Sequence, residues 1–175
     1  DNSTALHAFA QVMQAYPDAR LLVAGTGPEE GALKRLASEL GIAQQVHFAG
    51  RLEREEMAQR LRESRSALNP SLADNMPNSV LEAMASGVPV VSTRVGGVPY
   101  IVQDGDTALL VPPADPAAMA GAILRLLREP ALAESIRSAG LIGVRAYTWT
   151  VVGPLWSAVY GAAAVSVRGA TAHHA

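Results

Sequence analysis

Two acids eight positions apart, Asp74 and Glu82, are the residues of this chain best placed to do chemistry. Between them lie Asn75, Asn78 and Ser79, which are good helix-capping types, and Pro77, which suits a first helical turn. The stretch from Pro70 to Val91 therefore reads as loop, helix, turn and buried strand. The first N–H groups of a helix have no partner inside it, and the dipole there is positive. A phosphate is the natural ligand for such an end. Glu82, about one turn further on, can reach a hydroxyl beside that phosphate, and a carboxylate accepts two hydroxyl hydrogen bonds side by side. The plainer alternatives are structural. Glu82 can be a helix-start acid worth about 0.3–1 kcal/mol, Asp74 an Asx-turn residue shaping its loop, and Asn78 and Ser79 simple caps.

The elements that must hold these residues follow from periodicity and punctuation. Ser3 or Thr4 caps a predicted helix with Leu6, Phe9, Ala10 and Met13 on one face. A strand over 20–24 turns at Gly25-Thr-Gly27 into a helix with Pro28, Glu29 and Glu30 in its first turn and Leu33, Leu36, Ala37 and Leu40 inward. A strand over 46–49 ends at Gly50-Arg51, a charged helix covers 53–63, and a short strand covers 66–69. Gly87 and Pro89 stop the central helix before a strand from Val88 to Ser92. Gly96-Gly97, a short helix around Tyr100, a turn at Asp104-Gly105 and a strand over 108–111 come next. Asp115 caps one helix, Pro130 starts another, and Trp149 to Tyr160 forms a last one. The tail from about Ala162 has little periodicity and is expected to fray. Strands alternating with helices predict an α/β fold, a Rossmann-like parallel sheet with helices on both faces. Its ligands bind beyond the carboxyl ends of the strands, where Gly25, Gly50, Pro70 and Gly96 lie.

The chain has 175 residues, 49% of them apolar, and a net charge of −2. That suits one globular domain and gives no basic surface for nucleic acid. There is no cysteine, which excludes disulfides and thiol chemistry and fits a reducing compartment, so a cytoplasmic location is expected. No window of about 18 apolar residues predicts a transmembrane segment. Asp1-Asn-Ser-Thr-Ala reads as a helix's first turn, so the chain is expected to be part of something longer. His47 alternates into a strand and reads as packing, and no acids or histidines have metal spacing. Gly25-Thr-Gly27 invites a dinucleotide reading, but the third glycine of that fingerprint would fall on Glu30.

The central run closely resembles the signature of family 4 retaining glycosyltransferases of the GT-B fold. That signature has two glutamates eight positions apart within "Pro-Ser … Leu-Glu-Ala-Met-Ala-x-Gly-x-Pro-Val-Val". Here the second acid is Glu82, and Asp74 stands where the family prefers Glu. Val23 to Pro28, Val46 to Gly50, Gly96-Gly97, Asp104-Gly105, Leu110 to Pro113 and Trp149 with Tyr160 follow in the family's order. The resemblance implies the C-terminal half of a GT-B enzyme, with 1–148 the nucleotide-sugar donor domain and 149–175 a C-terminal helix and tail. It implies catalytic roles for Asp74 and Glu82. It assigns donor binding to Gly25, Gly27, Gly50, Arg51, Met76, Pro77, Asn78, Ser79 and Glu82. Glu82 would grip ribose hydroxyls, and Gly50-Arg51 would cradle the base.

The implied substrate is a nucleotide-diphosphate sugar, UDP- or GDP-linked before others, with no cofactor and no metal. The implied partner is an N-terminal acceptor domain, through which any peripheral membrane contact would run. That domain and the family's basic Arg…Lys segment are absent, so this chain alone is expected not to catalyse. Two other readings stand beside it. One is a nucleotide-sugar binding module without catalysis. The other is a different GT-B-like enzyme, such as a sugar-nucleotide epimerase or a phosphorylase. A phosphorylase needs a lysine for pyridoxal phosphate, and the sole lysine, Lys34, falls on a predicted surface helix.

Overall fold

A computed structural model describes the backbone of residues 1–171 and the side chains of residues 1–160. The chain opens with α1 (Asn2–Met13), β1 (Leu21–Ala24), α2 (Glu30–Glu39), β2 (Val46–Gly50) and α3 (Arg54–Glu63). It continues with β3 (Ala67–Asn69), α4 (Asn78–Ala85), β4 (Val90–Thr93), α5 (Val98–Ile101) and β5 (Leu109–Val111). It closes with α6 (Pro116–Arg128), α7 (Pro130–Gly143), a 3-10 turn at Val144–Tyr147, and α8 (Trp149–Thr171).

The strand pairings are parallel, but they form two hydrogen-bonded groups where one sheet was expected. β1 pairs with β2, and β3, β4 and β5 pair in that order. The three-stranded group is covered on both faces, and the period-2 geometry of a strand divides its side chains. Val91, Leu109 and Val111 pack on one side against Ala5, Ala8 and Val12 of α1 and Met119, Ile123 and Leu126 of α6. Val90 and Leu110 pack on the other against Val80, Ala83 and Met84 of α4 and Val98 of α5. Each Val, Leu, Ile or Met among them, fully buried, stabilises by about 1.5–3 kcal/mol.

The β1–β2 pair is covered on one face only. Leu21, Val23, Val46 and Phe48 pack against Leu6 and Phe9 of α1 and Leu33 and Ala37 of α2. The opposite face carries Ala24 and His47, both exposed, so His47 is not the packing residue its alternation suggested. α1 therefore touches both halves, with Ala5, Ala8 and Val12 on one and Leu6 and Phe9 on the other.

Helix ends differ in detail from the expectation. Asp1 is the N-cap of α1, and the hydroxyls of Ser3 and Thr4 donate to its carboxylate at 2.6 Å each instead of capping the helix themselves. Pro28 and Glu29 form the lead-in to α2 and not its first turn. Asp115 caps α6 as expected, accepting from the Ala118 N–H at 2.9 Å. The chain expected to fray from Ala162 is helical to Thr171, and residues 172–175 lie outside the described residues. No helix among the described residues is long and apolar enough to cross a membrane.

Candidate functional site

The loop between β3 and α4 carries the two acids, and its course is fixed by a buried polar belt. Asn69 and Thr93 end their strands, and Ser92 and Thr93 are fully buried. The Asn69 amide donates to Ser92 Oγ at 3.1 Å and accepts from Ser71 Oγ at 2.8 Å. Thr93 Oγ1 donates to the Ser71 carbonyl at 2.6 Å. No buried side-chain nitrogen or oxygen among the described residues is left without a partner. Leaving one such group unpaired would cost about 1–3 kcal/mol, so the belt holds the loop's start firmly.

Further along, Asp74 Oδ1 accepts from the Met76 N–H at 3.2 Å and Oδ2 from Ser71 Oγ at 3.4 Å, an Asx turn. The Asp74 carbonyl accepts from the Gly97 N–H at 2.8 Å. Gly96 and Gly97 lie hard against this loop. A methyl group on Gly96 would overlap the Asp74 carbonyl oxygen, and one on Gly97 the Asn75 carbonyl oxygen. These two glycines are therefore required by the approach of two backbones, not only by their own turn.

The N-terminus of α4 is open. Pro77 is buried and occupies the N-cap position, where it has no side chain that can cap. Asn78 and Ser79 are exposed first-turn residues and make no side-chain cap, contrary to the capping role their types suggested. The N–H groups of Val80 and Leu81 bond back to the Pro77 carbonyl at 3.1 and 3.3 Å. Those of Asn78 and Ser79 precede them at the positive end of the helix with no intrahelical acceptor. Glu82 is exposed on the same face as Asn78, one turn on, roughly 6 Å along the axis. Val80, Ala83 and Met84 bury the opposite face. Gly87, at φ +69°, closes α4: its N–H bonds to the Met84 carbonyl and that of Val88 to the Ala83 carbonyl, a Schellman end. The helix is thus pinned at its base and open at its tip. Met76 is exposed beside that tip.

The other expected residues gather at the ends of β1 and β2. The Gly25 N–H donates to the Gly50 carbonyl at 2.6 Å, and Gly27 and Arg51 follow. A methyl group on Gly25, Gly27 or Gly50 would meet nothing within 4 Å, so the rim there is open. Gly27 has neither a positive φ nor a close neighbour, and the fold does not explain its being glycine. The structure thus brings Asp74, Met76, Pro77, Asn78, Ser79 and Glu82 together, and Gly25, Gly27, Gly50 and Arg51 together. No hydrogen bond or ion pair among the described residues links the two groups.

Two surface hollows lie elsewhere. One of about 330 Å³ is lined by Lys34, Ala37, Ser38, Val46 and Phe48, and one of about 440 Å³ by Trp149, Trp156 and Tyr160. Neither touches the acids, which sit on an open rim. Sequence reasoning missed Asn69, Ser71, Ser92 and Thr93. Their signal was legible all the same, since three polar residues end otherwise apolar strands.

The sequence profile of the family described as glycosyl transferases group 1 matches residues 3–129. The chain belongs to that family. A phosphatidyl-myo-inositol mannosyltransferase of Mycobacterium leprae is 34% identical over 166 residues, covering 94% of this chain and 43% of the relative. The sucrose-phosphate synthase of Thermosynechococcus elongatus superposes with a TM-score of 0.79 at 29% identity, over 93% of this chain and 44% of that one. The C-terminal domain of a glycosyl transferase group 1 protein from Francisella tularensis superposes with a TM-score of 0.74 at 25% identity. It covers 82% of this glycosyl transferase chain and 77% of that domain. The chain spans less than half the length of the M. leprae relative. Its parallel α/β architecture is the one these GT-B glycosyltransferases share.

Proposed function

We propose that this chain is the donor-binding domain of a glycosyltransferase that takes a nucleotide-diphosphate sugar, UDP- or GDP-linked, and transfers the sugar to an acceptor hydroxyl with retention of configuration. The observation that carries this reading is the open tip of α4. It offers two N–H groups at the positive end of a helix with a carboxylate one turn along on the same exposed face. That arrangement takes a diphosphate at the tip and vicinal ribose hydroxyls at Glu82. The Asn78 and Ser79 N–H groups stabilise charge on the leaving diphosphate. Asp74, braced by Met76 and Ser71 with lone pairs left over, faces the sugar. Gly25, Gly27, Gly50 and Arg51 line the base side. An acceptor domain supplies the other wall of the cleft, and this chain alone does not catalyse.

Calorimetric titration of the chain with UDP, GDP and ADP tests this. One nucleotide binds selectively, and Glu82→Ala loses that binding while the fold is kept. Equal, weak binding of all three with no effect of Glu82→Ala would sink the proposal. A second reading, capture of nucleotide sugars without transfer, is favoured by the engagement of both Asp74 carboxylate oxygens with the loop. Glycosyl transfer by the protein carrying its acceptor domain, abolished by Asp74→Asn with nucleotide binding intact, would dismiss it.

A further inference from the structure

We propose that Leu72, Met76 and Tyr100 form an apolar rim around Asp74 that receives the alkyl chain of the acceptor. The acceptor is then an amphiphile, with an uncharged, hydroxyl-bearing head carried on a hydrocarbon tail. This rests on the glycosyltransferase reading above and names the acceptor class that it leaves open.

Before α8, the large apolar side chains left exposed among the described residues are Leu72, Met76, Tyr100 and Ile142. Single exposed apolar side chains are ordinary. Three of these four, however, belong to one corner of the fold. Leu72 and Met76, 58% and 53% exposed, stand two positions to either side of Asp74 on the acid-bearing loop. Tyr100, 88% exposed, is on α5, whose lead-in is locked to the same loop. The Gly97 N–H donates to the Asp74 carbonyl, and Gly96 and Gly97 have no room for a methyl beside residues 74 and 75.

This exposure does not come from slack chain, because the backbone is anchored at or beside each residue. Leu72 follows Ser71, whose hydroxyl donates to Asn69 Oδ1 at 2.8 Å and whose carbonyl accepts from the Thr93 hydroxyl at 2.6 Å. The Met76 N–H donates to Asp74 Oδ1 at 3.2 Å. The Tyr100 N–H donates to the Gly97 carbonyl at 3.0 Å, and the Tyr100 carbonyl accepts from the Tyr147 hydroxyl at 3.3 Å. A held cluster of exposed apolar side chains beside a polar site marks a ligand contact.

Place and charge say which ligand. In the donor reading the nucleotide occupies the tip of α4 and Glu82, and neither a diphosphate nor a ribose uses an apolar rim. The sugar stands at Asp74, and the acceptor hydroxyl must come up to that sugar. The acceptor is therefore the reactant that passes Leu72, Met76 and Tyr100. Between Arg65 and Arg94 the chain has no basic residue, and Arg94 is engaged with Asp104. An anionic head would find no counter-charge on this loop. Two of the three rim side chains are flexible aliphatic or thioether groups on an open surface, which suits a flexible chain laid along it.

Titration of the chain with octyl β-D-glucopyranoside, kept below its micelle concentration, against methyl β-D-glucopyranoside tests the rim. It is read by NMR on the Leu72 and Met76 methyl groups and the Tyr100 ring. The octyl glycoside binds at least about 10-fold more tightly, because each buried methylene adds affinity, and the three rim signals shift. Leu72→Ser with Tyr100→Ser, both at exposed positions and so with the melting temperature kept, brings the two glycosides to within about 3-fold of each other. Equal affinities in the wild type overturn the proposal, as do octyl-dependent shifts confined to Trp149, Trp156 and Tyr160. Rim shifts that follow protein concentration without glycoside overturn it too, and assign the rim to a second copy. So does loss of octyl binding in the protein carrying its acceptor domain, which assigns the rim to that domain. Nucleotide calorimetry on the same sample scores the donor reading separately. Selective nucleotide binding with equal glycoside affinities sinks the rim alone. Octyl-selective binding with no nucleotide binding sinks the donor reading, and with it the rim's claim on an acceptor.

Discussion

Glu82 stands free on the exposed face of α4, so its removal separates binding from stability. Hydrogen bonds to a charged group are worth about 1.5–3 kcal/mol, so Glu82→Gln lowers nucleotide affinity by roughly 10- to 100-fold in calorimetry. Its melting temperature stays near wild type, because exposed substitutions usually cost under about 0.5 kcal/mol. Gly27 and Gly97 form a matched pair. Gly97→Ala pushes a methyl into the Asn75 carbonyl and costs about 1–3 kcal/mol, read as a lower denaturation midpoint. Gly27→Ala meets no protein atom within 4 Å, leaves stability unchanged and weakens nucleotide binding. An unchanged affinity would make Gly27 a plain turn residue. From the sequence the two glycines look alike. Only the packing of residues 74–75 on residues 96–97, two loops some twenty positions apart, tells them apart.

At the scale of elements, α4 is held at three places: the Schellman turn at Gly87, Met84 against Gly140 of α7, and the polar belt below its loop. Thr93→Val keeps the shape of the side chain and removes the donor to the Ser71 carbonyl. It costs about 1–3 kcal/mol in urea unfolding. It also weakens nucleotide binding, although Thr93 is buried and touches no ligand, because the start of the acid-bearing loop loses its tether. Most of these elements were legible beforehand. Pro70 to Val91 has turn residues, a helical apolar face and a valine strand in unbroken order, and its helix and strand fall within a residue or two of the expectation. The caps were not legible, because Asp, Asn and Ser next to a helix start compete for one role. Pro77 takes the N-cap of α4 by backbone geometry, which residue type does not reveal. Nor was the split sheet legible, since alternating strands and helices fix the direction of crossovers but not which strands adjoin.

For the whole molecule the split has a consequence in cooperativity. The half built on β3, β4 and β5 buries β4 and β5 fully between α1 and α6 on one side and α4 and α5 on the other, and β3 in part. The half built on β1 and β2 buries one face, against α1 and α2, and leaves Ala24 and His47 exposed on the other. Local opening free energy follows buried apolar contact, so the β1–β2 half opens first. Between the halves the principal shared apolar element is α1, and Leu6, fully buried, ties it to the weaker half. Leu6→Ala removes that tie at a cost of about 2–5 kcal/mol. Amide exchange in the chain 1–175 then shows Val23 and Phe48 speeding by orders of magnitude while Val91 and Leu110 change little. Val12→Ala, on the face of α1 that meets Val91 and Leu109, brings the opposite pattern, with the stable half losing protection. Uniform loss at all four amides in both variants would mean that the two half-sheets unfold as one, and that α1 transmits every perturbation across them.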